Sequence, residues 1–111
     1  MNPNKLKRLR RQLAKLRRQS KGGIASEKIE SFAKALGRVQ RNPGKHVNWE
    51  SELLPHSRPI SIPHHGKPLK PFTAGEILDS LELDLEIFEE MNENDEKNNR
   101  KGRKKSDQSN Q

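Results

Sequence analysis

Residues 38–51 read RVQRNPGKHVNWES, and here the spacing of apolar residues changes from helical to alternating. Pro43-Gly44 is a turn signal, and the stretches on either side, 38–42 and 45–51, have the length and residue types of short strands. Alternation through the second stretch puts Val47 and Trp49 on one face and His46, Asn48 and Glu50 on the other. A β-hairpin is therefore expected in the middle of the chain. What it pairs and packs with follows from the sequence on each side.

Immediately upstream, residues 26–36 (SEKIESFAKAL) repeat apolar positions Ile29, Phe32, Ala33 and Leu36 at i, i+3, i+4 and i+7. That spacing gives a helix one apolar face. Ser26 is the candidate N-cap, and Gly37 fits the residue just past the C-terminus. Downstream, Pro55 interrupts the pattern, and RPISIPHH then offers a third strand with Ile60 and Ile62 inward. Pro59 and Pro63 keep it short or at an edge. Thr73 and Glu76 form a capping box that opens a last helix. Leu78, Leu81, Leu85 and Phe88 continue at three-four-three spacing, flanked by Ile77, Leu83 and Ile87, to about residue 91. The order α-β-β-β-α predicts an α+β domain: a three-stranded antiparallel sheet with both helices on one face and the other face open to a ligand.

The two ends differ from this centre. In residues 1–23, Leu6, Leu9, Leu13 and Leu16 align on one side of a helix that Pro3 opens and Gly22-Gly23 closes. Arg8, Arg10, Arg11, Lys15, Arg17 and Arg18 occupy the rest. Three roles suit such a helix: docking its leucines on the domain or a partner, gripping an RNA backbone, or lying on a membrane surface. Residues 92–111 are polar and predicted to be disordered. The expected organisation is a basic arm over 1–23, a folded domain over 24–91 and a tail over 92–111.

Composition narrows the function classes. The 111 residues are 28% hydrophobic and 34% charged, with a mean hydropathy of −1.18. There is no cysteine, so neither a disulfide framework nor a thiolate zinc site is available, and a reducing cytoplasm is the expected compartment. No apolar run approaches the ~20 residues a bilayer span needs. Net charge is +8, but it is segregated: +9 over 1–23, +4 over 24–75, −10 over 76–96 and +5 over 97–111. Basic blocks of this size favour a polyanionic partner, with nucleic acid the leading class. The ten carboxylates of 76–96 repel RNA, so they are expected to lie away from the His46 face, against solvent or the chain's own arginine-rich arm.

Several motifs occur in a meaningful order. Ala35-Leu36-Gly37 is followed by Gly44-Lys45-His46, then by Ile62-Pro63-His64-His65-Gly66, and then by Lys67 and Lys70 leading to Thr73 and Ile77-Leu78. Over residues 24–83 this resembles the HicA family, the small mRNA-interferase toxins of bacterial toxin–antitoxin pairs. The resemblance implies a double-stranded-RNA-binding-domain-like fold and translation-independent cleavage of mRNA. It also implies inhibition by a HicB-type antitoxin. Lys45 stands where the family usually has serine, and the arm and the sequence after residue 83 lie outside the matched pattern.

By this resemblance His46 is the catalytic residue. Metal-free RNA cleavage needs a base for the ribose 2′-hydroxyl proton and an acid for the leaving oxygen, and histidine, with a pKa near ~6.5, serves either role at neutral pH. Gly44 permits close approach of a phosphate, and Lys45 offsets charge on the transition state. His65 matches the family's Pro-x-His and, with its neighbour His64, is a candidate for the second proton transfer, for a phosphate contact, or for shaping the turn. With Lys67 and Lys70 these complete the expected RNA-binding set. No cofactor or metal is expected, because the histidines lack zinc-ligand spacing. His56 reads as plain surface, and Trp49 as core in preference to a base-stacking platform. The alternative reading is an RNA-binding module of the same fold that does not cleave.

Overall fold

Asn2 opens the first helix: its side-chain Oδ1 accepts from the Lys5 backbone N–H at 2.7 Å, and Pro3 takes the first helical position. The computed structural model describes residues 2–41, 47–54, 56–63 and 67–105, with 95–105 described by their backbone alone. Its elements are α1 (Pro3–Ser20), α2 (Ser26–Ala35), β1 (Arg38–Arg41), β2 (Asn48–Ser51), β3 (Ile60–Ser61) and α3 (Pro71–Lys105). The chain is mixed α+β, with a three-stranded antiparallel sheet in the order β1-β2-β3.

Register explains which face of the sheet is covered. Arg38 pairs with Ser51, Gln40 with Trp49, and Trp49 with Ile60, so these residues share one face. Arg38, Trp49 and Ile60 are buried on it, whereas Arg41 and Ser61 on the opposite face are exposed. Asp84 of α3 and Lys34 of α2 both reach residues of the covered face, the first at Arg38 and the second 5.8 Å from the Trp49 ring centre. The inward assignments of Trp49, Ile60, Ile62, Leu78, Leu81, Leu85 and Phe88 all hold.

The arm docks on the domain. Leu6, Leu9, Leu13 and Leu16 are each at most 4% exposed and belong to the same hydrophobic core as Phe32, Trp49 and Leu85. Burying each is worth about 1.5–3 kcal/mol. Arg10 bonds Glu82 at 2.7 Å and Glu89 at 2.6 Å, while Arg17 bonds Asp79 at 2.9 Å and also Glu82. As α1 advances its partners on α3 recede, so the two helices run antiparallel. Part-exposed ion pairs of this kind contribute ~0–1 kcal/mol each, and the leucines provide most of the attachment.

Four details differ from the sequence reading. Ser26 is not the N-cap of α2; Ala25 holds that position, and Ser26 is the buried first residue, its hydroxyl 3.3 Å from the Glu27 carboxylate. The last helix begins at Pro71, two residues before the capping-box threonine, because proline at the first position lacks only an N–H that would go unpaired anyway. Its backbone continues past residue 91 to Lys105, helped by a sequence with no proline after Pro71. Asp84, expected to face away with the other acids, is buried against the sheet because Arg38 meets it there.

Candidate nucleic-acid interface

Two register pairs fix the strand ends that the motif-bearing connections adjoin in sequence. Arg41 pairs with Asn48, so the stretch carrying Gly44, Lys45 and His46 joins the paired ends of β1 and β2. Asn48 also pairs with Ser61, so the chain enters β2 and leaves β3 at the same end of the sheet. The stretch carrying His64 and His65 follows directly from there. Gly44, Lys45, His46 and His65 themselves lie outside the described residues.

Lys67 and Lys70 are described, and both are exposed. Between them Leu69 is buried and exchanges backbone hydrogen bonds with Ile24: Leu69 N–H donates to Ile24 O at 2.7 Å, and Ile24 N–H to Leu69 O at 3.2 Å. Gly23 turns the chain into this bridge with φ at +94°, a conformation that other residues rarely adopt. The bridge fastens the two lysines to the α1–α2 connection and sets Lys70 immediately before the first residue of α3. Sequence spacing does not reveal this bridge, since Ile24 and Leu69 each stand alone outside a strand.

Trp49 is 1% exposed, so it is a core residue and not a stacking platform. Its indole N–H finds no acceptor among the described residues. His56 is exposed, as expected, and borders a groove of roughly 670 Å3. Leu53, Leu83, Ile87 and Met91 line this groove and remain largely exposed. Among the described residues, no group of three or more acids and histidines has metal-holding geometry. None of their helices is long and apolar enough to cross a membrane.

No family model, curated protein or solved structure matches the chain.

Electrostatics divide the molecule. Hydrogen bonds donated to Glu89 and Glu82 hold the Arg10 guanidinium above its ordinary pKa against the cost of burial. Burial works against the charge on Arg17, but the bonds it donates to Glu82 and Asp79 outweigh it and raise its pKa. Glu82 is held below the usual carboxylate range, chiefly by its bond from Arg17 and, against burial, by that from Arg10. Three acids of α3 are thus occupied by two arginines of α1. Lys7, Arg8, Arg11, Lys15 and Arg18 remain exposed, with no ion-pair partner among the described residues.

Proposed function

We propose that this chain is a metal-independent endoribonuclease of the HicA kind, the toxin half of a type II toxin–antitoxin pair. In this reading α2-β1-β2-β3-α3 is a double-stranded-RNA-binding-domain-like core, acting on mRNA in the cytoplasm and inhibited by a HicB-type antitoxin. The observation that carries it is the Asn48–Ser61 pairing. It sets the start of β2 beside the end of β3, the two strand ends that the histidine-bearing segments adjoin in sequence, and this supports a two-proton cleavage.

His46 accepts the proton of the ribose 2′-hydroxyl. The 2′-oxygen attacks the adjacent phosphorus, and the bond to the 5′-oxygen of the next nucleotide breaks. That oxygen leaves with a proton from an acid, a role for which His65 is the candidate. The products are a 2′,3′-cyclic phosphate and a 5′-hydroxyl. Gly44 admits the phosphate, and Lys45, Lys67 and Lys70 offset its charge.

The test is His46→Ala, followed by growth on expression and by cleavage of RNA with purified protein. The variant should lose toxicity and cleavage while keeping the parental melting curve, and the parent should cleave in EDTA. Full toxicity in the variant would remove His46 as catalyst. RNA binding without cleavage by the parent would leave the non-cleaving module as the function.

A further inference from the structure

The exposed cations of α1 form an ordered surface. At about 100° per residue, Lys7, Arg8, Arg11, Lys15 and Arg18 fall within an arc of roughly 100° on the side opposite the buried leucines. They run for roughly 16 Å along the axis, and the only other exposed residue among them, Ala14, is small and neutral. Residues 1–23 contain no acid at all. Asp79, Glu82 and Glu89 of α3 bond Arg10 and Arg17, at the flank of this arc, and Glu93 borders a groove with Lys7 at its N-terminal end.

We propose that this face of α1 is a sequence-independent binding surface for the phosphodiester backbone of a nucleic acid. It does not rest on the histidine-bearing connections or on their cleaving RNA. A strand carries one phosphate per ~3.4 Å of duplex axis, so a straight row of this length spans several phosphates and matches a linear polyanion. Because four buried leucines hold α1 on the domain, the row is already ordered, and binding does not have to form the helix. The same burial argues against a membrane surface, since an interfacial helix needs its apolar face free for lipid.

The experiment measures binding of the full chain to three probes across a salt series: a 2′-O-methyl RNA duplex that cannot be cleaved, a DNA duplex of the same sequence, and phosphatidylserine vesicles. Arg8→Gln/Arg11→Gln/Lys15→Gln should weaken duplex binding by roughly tenfold or more and lower the salt slope by about 2–3. Its melting curve should match the parent's, and Arg8→Lys/Arg11→Lys should bind as the parent does. Equal losses on both duplexes assign the generic backbone; binding of the RNA duplex alone assigns A-form RNA. The charge-matched Lys28→Gln/Lys34→Gln/Arg58→Gln should have little effect. The proposal is overturned if the ridge variant binds as tightly as the parent, if the control loses as much, or if only vesicles bind. None of these readouts depends on cleavage, so this surface and the histidine mechanism stand or fall separately.

Discussion

Arg38 and Asp84, 46 residues apart, form a bidentate ion pair in which each side chain is 2% exposed. Arg38 Nε donates to one carboxylate oxygen at 2.7 Å and Nη2 to the other at 3.0 Å. Nη1 donates to the carbonyls of Trp49 at 2.9 Å and Arg58 at 3.0 Å. One guanidinium thus ties β1 to β2, to the loop before β3 and to α3. The contact fixes the sheet against the helix, at the end of β1 opposite the connection to β2.

Removing one partner leaves the other charged and buried. Asp84→Ala should therefore cost about 3–5 kcal/mol, read from urea unfolding. Arg38→Met combined with Asp84→Leu should recover much of that loss, because two apolar side chains leave no stranded charge. A double variant as unstable as the single one would mean that the bonds to Trp49 and Arg58 matter more than the pairing itself.

The docking of α1 makes its own demand. Leu13 is 2% exposed between the helices, and Leu13→Ala should lower stability by about 2–5 kcal/mol. Ala14→Ser, on the outer face, should change it by less than ~0.5 kcal/mol. Equal melting temperatures for parent and Leu13→Ala would show that α1 does not contribute to the folded core in solution.

How much of this was legible in the sequence depends on whether a local rule and the tertiary contact agree. The leucine stripes of α1 and α3 follow helical spacing, and their opposite charges make mutual packing one of two readable destinations. The strand faces followed from alternation at Val47, Trp49, Ile60 and Ile62. Arg38 did not, because an arginine beside Val39 reads as the solvent side of its strand. A signal existed on the other helix: Asp84 falls between Leu81 and Leu85 in the apolar stripe, where an acid needs a buried cation. The start of α3 was misplaced because Thr73-x-x-Glu76 and Pro71 both signal helix starts and the proline prevailed. The candidate chemistry is carried by the β1–β2 and β3–α3 connections, where the order of motifs is the signal that the sequence offers.

Gly37 offers a test of backbone strain. Its φ is +91°, and a Cβ there would lie 2.6 Å from Leu53 Cδ1. Leu53 is 55% exposed and free to turn aside, so the contact is relieved at little cost, whereas the dihedral is not. Gly37→Ala should lose about 1–2 kcal/mol, and adding Leu53→Ala should restore only a small part. Full recovery in the double variant would show that the Leu53 contact, and not the dihedral, opposes a side chain at this position.

Acid should loosen α1 from α3 through Glu82. Its folded-state pKa lies below the ordinary 4.5, owing first to the hydrogen bond from Arg17 and, against burial, to that from Arg10. A carboxyl with a depressed folded pKa binds protons more readily in the unfolded chain. Its contribution to stability is therefore full above about pH 4.5 and lost as the pH falls through the lower, folded value. Arg10 and Arg17 stay charged throughout, so the change belongs to the carboxylates. The melting temperature should fall as the pH drops below 4.5, and Glu82→Gln should be flatter over that interval while starting lower at neutral pH. Because these side chains are about a third exposed, the neutral-pH loss should be no more than about 1 kcal/mol, and smaller in high salt. An acid transition of undiminished steepness in Glu82→Gln would assign it to other carboxylates, with Asp84 the next to replace.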